Sequence, residues 1–238
     1  MGKRLTELVF VGVFGVSFVA FIYALTLGDW FKISMAFVAL GLYFVPLLAK
    51  KFLKIELMAG VEVVYFLFIF AALILGEVFA FYGPFLWWDM VLHFLAGFVL
   101  AGLGCSLMEI VAKGKQTRGL LLLFAFCFST TAGILWECTE FSFDMLVRTD
   151  AQKDAHVRQI STITLQRDGG NRPVRINNIE KTEIYVAGGE TVTIDEGFLD
   201  IGLMDTMKDI LVNFAGAGAF VIVGMMATKN KLKFVHKV

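Results

Sequence analysis

Ionisable residues recur at helical spacing inside three otherwise apolar stretches of this chain. They are Asp89 and His93; Glu137, Glu140 and Asp144; and Asp205 and Asp209, with the polar Asn213 one turn beyond. Steps of three, four or seven residues put each set on one face of a helix. A charge at the centre of a membrane span costs about 2.5–3.5 kcal/mol on insertion scales, so such residues mark sites by default. Six carboxylates in one pocket cannot all stay ionised without compensation, because like charges raise one another's pKa. Protons, a metal ion or an organic cation must neutralise them. Carboxylate oxygens with one imidazole suit Mg²⁺, Mn²⁺, Ca²⁺ or Zn²⁺. The expectation is a divalent cation held by His93, Glu137, Glu140 and Asp209, which are also the expected catalytic groups. Asp89, Asp144, Asp205 and Asn213 are expected at the rim.

The elements that must position these groups are membrane helices. Of the 238 residues, 58% are hydrophobic and 14% aromatic, and the mean hydropathy is +0.76. That is too apolar for an ordinary soluble domain. Six runs near residues 8–27, 31–49, 57–82, 87–111, 119–147 and 201–228 are long enough to cross a bilayer, which takes about 20 helical residues. The fold class is an all-α polytopic membrane protein. Its segments are 1–147 (five helices), a β-rich insertion at 148–200, and 201–238 (the sixth helix and tail). The run after Lys3 and Arg4 is too long for a signal peptide and is read as a helix that stays. Met1 to Thr6 also fits an N-myristoylation pattern, which adds little to a chain already anchored by helices.

Basic residues fill alternate connections: Lys3 and Arg4; Lys50, Lys51 and Lys54; Lys113, Lys115 and Arg118; and Lys229, Lys231, Lys233 and Lys237. The positive-inside rule then places both termini in the cytoplasm of an inner or plasma membrane, with the insertion outside. Tyr82, Trp87 and Trp88 fall where an outer aromatic belt belongs. Depth follows from the helical rise of about 1.5 Å per residue. Counted from their basic flanks, His93, Glu137 and Asp209 each lie about 28–30 Å away, in one outer layer. Gly97, Ala101 and Gly104 continue the His93 stripe, and Gly216 lies on the last helix. Small residues at such spacing let helices approach closely.

Within the insertion, Gly188-Gly189 separates two β-branched runs, 184–187 and 191–194, as in a hairpin. Asp168-Gly169-Gly170-Asn171 offers a second turn, and 160–165 and 182–187 read as strands. A small antiparallel sheet resting on the helix ends is expected. Asp150, Asp154 and His156 are candidates to close over the site, and Glu77 reaches a similar depth on the third helix. Cys105, Cys127 and Cys138 lie in apolar runs, so neither a disulfide framework nor a CxxC metal site arises. Zero formal net charge gives no field that selects nucleic acid.

Several of these residues carry a resemblance. Trp88-Asp89 with His93, Trp136-Glu137 with Glu140 and Asp144, Thr149-Asp150-x-Gln152-Lys153-Asp154, and Gly202-Leu203-x-Asp205-Thr206-x-Lys208-Asp209 with Asn213-x-x-Gly216 resemble the YjdF-type family of uncharacterised bacterial inner-membrane proteins. The resemblance spans about Phe85 to Gly224. The first three helices match only as hydrophobic spans. The same layout is distantly similar to the VanZ-like proteins associated with glycopeptide resistance. What it implies is an architecture rather than a reaction.

Three functions fit these readings. One is a cation-dependent enzyme or binder acting on an envelope lipid. The second is a proton- or cation-coupled transporter, against which the outer depth of the acids counts, since transporter sites sit near the midplane. The third is a structural membrane protein whose acids cap helices and anchor the insertion. Membrane lipids are the expected surroundings, and nothing in the chain fixes an oligomeric state. A cysteine placed at Gly170 should label from outside intact cells. Labelling only after permeabilisation would reverse the orientation.

Overall fold

The computed structural model describes residues 2–85, 87–113, 115–167, 169–226 and 235–237. The basic residues Lys229, Lys231 and Lys233, the end of the sixth expected span, and Asp168 of the second expected turn lie outside them.

Among the described residues, six helices are long and apolar enough to cross a membrane. Helix α1 (Gly2–Leu27) stops at Gly28, whose φ of +66° is cheap only for glycine. Asp29 then caps α2 (Trp30–Leu42), its Oδ1 accepting from the Lys32 amide at 3.1 Å. Pro46 cannot donate into a continuing helix, so it opens a new turn, α3 (Val45–Leu48). A π-helical turn, Ala49–Leu53, completes the second span, and Lys54 ends it in the left-handed region. Helix α4 (Ala59–Ile69) widens into a π-helical stretch, Phe70–Val78. The carbonyls of Ala71 and Ala72 accept from Trp88 Nε1 at 3.3 Å and the Tyr82 hydroxyl at 3.4 Å. The remaining spans are α5 (Trp88–Val111), α6 (Arg118–Val147) and α7 (Leu203–Met226). Only 22–33% of each span is buried within the chain. So much exposed apolar surface suits lipid rather than water.

Contacts divide the chain into two compact units, Met1–Leu135 with Asp209–Val238, and Trp136–Lys208. The first unit contains two apolar cores. One joins α1, α2 and α4 through Ala20, Ala36, Ala39, Tyr43, Phe66 and Ile74. The other joins α5, α6 and α7 through Ala101, Cys105, Leu121, Ala125, Ala217 and Phe220. Backbone pairing of β1 (Ile55–Leu57) with β8 (Val235–Lys237) brings the connection after the second span beside the C-terminal tail.

The second unit holds the ends of α6 and α7 and the insertion between them. In place of one small sheet, the described residues of the insertion form three separate two-stranded antiparallel pairs. The glycine-turned hairpin is present as β5 (Thr182–Tyr185) with β6 (Thr191–Ile194). Pairing of β3 (Ile160–Thr162) with β4 (Val174–Ile176) closes the second expected turn. The strand expected at 160–165 is shorter because residues 164 and 165 turn. The pair β2 (His156–Val157) with β7 (Phe198–Leu199) joins the first and last parts of the insertion. Pairs this short bury too little apolar surface to merge into one sheet.

In the second core, glycines let backbones touch. Gly97 of α5 lies against the Asn213 carbonyl of α7, and Gly216 of α7 lies against the Phe94 carbonyl of α5. A β-carbon at either would overlap that carbonyl. Gly218, two residues along α7, meets nothing within 4 Å. Gly216→Ala should therefore destabilise the purified protein by about 1–3 kcal/mol, the usual cost of overpacking. Gly218→Ala should be neutral or slightly stabilising, since alanine favours helix by up to about 1 kcal/mol. Thermal melts of the two variants in one detergent check this pair of outcomes.

Candidate functional site

Close approach of α5 and α7 sets His93 against Asp209. Asp89 lies one turn before His93 on α5, and Asp209 one turn before Asn213 on α7. His93 Nε2 stands 3.6 Å from Asp89 Oδ1 and 3.8 Å from Asp209 Oδ2. One atom from each residue can be chosen so that all three lie within 4.8 Å of one another. Both imidazole separations exceed the 2.7–3.2 Å of an ordinary N–H···O hydrogen bond. Such separations could hold one shared ion, since tetrahedral bonds of about 2.1 Å keep ligand atoms about 3.4 Å apart. Side-chain exposure falls from 18% for Asp89 through 13% for His93 to 2% for Asp209. The group therefore opens toward Asp89 and closes at Asp209.

Helix α6 closes the inner side. Ser129 Oγ donates to the Gly97 carbonyl at 2.8 Å. Gly133 lies against the Asn213 carboxamide, where a β-carbon would meet Cγ and Oδ1 at 2.8 Å. Asn213 is buried, and its Oδ1 has no hydrogen-bond partner among the described residues. It was expected at the rim, but the helix contacts that bury Gly97 enclose it as well. Asp89, also expected at the rim, stands with His93 and Asp209 as the third member of a group that could hold a metal ion.

Glu137 and Glu140 belong to the second unit. Glu137 is buried there, and Glu140 Oε1 accepts from Trp136 Nε1 at 2.9 Å. Asp144 and Asp205 have a different task in this unit. Asp144 Oδ1 accepts from the Ala151 amide at 2.7 Å and the Thr149 hydroxyl at 2.8 Å, and Oδ2 from the Gln152 amide at 2.9 Å. Asp205 accepts from the Lys153 amide and from Lys208 Nζ, both at 3.2 Å. Asp200 takes the Ala155 amide at 2.8 Å and the Met204 amide at 2.6 Å, which caps α7. Gln152 Nε2 donates to Thr206 Oγ1. Three carboxylates thus pin residues 149–155 across the ends of α6 and α7 through the backbone. Asp205 is buried by this loop rather than placed near water.

Asp200 was missed from sequence, although an aspartate just before Gly202 and an apolar run is a helix-start signal. His156 of β2 is engaged through Nδ1 with the Glu196 carbonyl at 2.8 Å. Glu77 sits half-buried in the π-helical stretch.

A family model described as a predicted membrane protein (DUF2238) matches residues 6–230. The match takes in the first three helices as well as the residues from Phe85 onward. Neither a curated protein nor a solved structure matches the chain.

The pinned loop generates a pH effect. Desolvation pushes the Asp150 carboxyl above its ordinary value, and the charges of Asp154, Asp144 and Asp205 add to this against Lys153. A carboxyl raised in the folded state supports folding below its unfolded pKa and loses that support as pH rises through the folded value. At neutral pH the Asp150 charge therefore opposes folding. Asp150→Asn should raise the melting temperature modestly at pH 7, and the gain should disappear on acidification below the carboxylate range. An equal gain at both pH values would show that the charge is not its source.

Proposed function

The chain belongs to the DUF2238 family of predicted membrane proteins, and from that premise we propose that Asp89, His93 and Asp209 bind a divalent cation used on an envelope lipid or its headgroup. The observation that carries this reading is the placing of one imidazole nitrogen between two carboxylates at ion-bridging distance. Burial of Asp209 supports it, because a desolvated carboxylate needs compensating charge. Three protein ligands leave further positions for water or a phosphoryl oxygen, the arrangement of catalytic rather than closed structural sites. A cation there would act as a Lewis acid or lower the pKa of bound water. Asn213 Oδ1 offers another oxygen about 6 Å along α7, one turn inward. Asp89 is the most exposed of the three and faces the entry side.

The orientation proposed from the basic flanks puts this group in the outer half of an inner membrane, with both termini cytoplasmic. Pairing of β1 with β8 agrees with that, since it keeps the connection after the second span and the tail on one face.

Added Mn²⁺ or Zn²⁺ should raise the melting temperature of detergent-purified protein. A ligand that binds only the folded state adds about 2.7 kcal/mol at a hundredfold excess over Kd. His93→Gln and Asp209→Asn should abolish the rise. Two rivals give other results. A proton-coupled transporter predicts no metal effect and stability that falls as pH rises through elevated carboxyl pKa values. A structural role for the acids predicts neither effect.

A further inference from the structure

The insertion is electrically divided. Its stretch 156–176 carries Arg158, Arg167, Arg172 and Arg175 against one acid, Asp168, for a net +3. Residues 177–200 carry six acids against Lys181, for a net −5. The acidic half compensates part of its charge internally, since Lys181 Nζ lies 2.6 Å from Glu183 Oε1. All four arginines are exposed, and none has an ion pair among the described residues. Ile163 and Leu165 stand beside them in the β3–β4 connection, 51% and 50% exposed. The Arg172 amide donates to Gln166 Oε1 at 2.9 Å, which folds Arg172 back toward Arg167. Exposed guanidinium groups interleaved with exposed aliphatic side chains have the composition of a surface that enters a lipid headgroup layer.

Position narrows the partner. The second unit contains the ends of α6 and α7, where the chain leaves and re-enters the bilayer. Strand β2 begins directly after the loop pinned there by Asp144, Asp205 and Asp200. Its partner β7 ends directly before Asp200, so the base of the insertion is fastened at the helix ends. The Ile179 amide donates to the Arg158 carbonyl at 2.9 Å and draws the far side of β4 back to that base. The basic hairpin is tethered at both ends to membrane helices, so lipid phosphates are present at high effective concentration. Arginine binds phosphate bidentately, which lysine cannot. We propose that the β3–β4 hairpin is a docking surface for the phosphate groups of anionic lipids in the bilayer that holds its own helices. Ile163 and Leu165 enter the interface while the arginines engage the headgroups.

The test uses full-length protein with Leu165→Cys as its single cysteine, Cys105, Cys127 and Cys138 being replaced by alanine. The cysteine is labelled with an environment-sensitive fluorophore. The protein is reconstituted into phosphatidylcholine vesicles with or without phosphatidylglycerol, each containing lipid brominated along the acyl chain. Quenching should increase several-fold with phosphatidylglycerol. High salt should reverse the increase, and Arg158→Gln, Arg167→Gln, Arg172→Gln and Arg175→Gln together should remove it. Equal quenching in neutral vesicles, or quenching indifferent to the four substitutions, would overturn the phosphate assignment. A label that stays in water in both lipids would overturn docking altogether and leave the hairpin to a protein partner. The fourfold variant should keep the metal-dependent melting shift, so failure here and failure of the cation site are read separately.

Discussion

Backbone contact between α5 and α7 is the constraint on which the candidate site depends. Gly97 and Gly216 face carbonyls on opposite helices, so each helix lends the other the space of a missing side chain. Helix association in lipid lacks the hydrophobic drive available in water and relies on close packing and polar contacts. Gly97, one turn from His93, and Gly216, about two turns from Asp209, make the contacts that hold these side chains within reach. Any larger residue at either position would separate the imidazole from the buried carboxylate. Ser129 adds a polar tie from α6 to the same backbone, at the carbonyl of Gly97 itself.

Acidic residues that look equivalent along the chain are compensated in two different ways. Asp144, Asp200 and Asp205 receive backbone amides from one short loop. Such bonds satisfy the oxygens and order the chain leaving the helix, as helix caps do. Asp89 Oδ1 and Asp209 Oδ2 face one imidazole nitrogen at 3.6 and 3.8 Å. The first group fastens a loop, and the second belongs to a group that could hold a metal ion.

The motif Thr149-Asp150-x-Gln152-Lys153-Asp154 also finds its reason in that loop. Its amides at 151, 152 and 153 are the donors that Asp144 and Asp205 accept. Gln152 reaches Thr206, and its β-carbon fills the space above Gly202, whose φ is +86°. What a sequence motif shares here is therefore a way of clasping two helix ends. The insertion stands on that clasp, which gives its charged hairpin a fixed base.

The sequence by itself determined the six spans, the glycine-turned hairpin and the residues that share a helix face in α5, α6 and α7. Those features follow from local quantities: apolar length, helical period, caps and turn residues. It also predicts a common depth for the ionisable groups, because depth along a helix is a count of residues. Rotation and neighbour choice are not counts. Whether Asp89 or Asp205 faces His93 depends on which helix surfaces meet, and that was decided by carbonyls packing on Gly97 and Gly216. Asp205 and Asp209 show the difference, being one turn apart on one helix. Asp205 meets a loop with amides to give, and Asp209 meets an imidazole. Tertiary structure chose between them, because the partner a buried carboxylate finds lies on another element, far away in the chain.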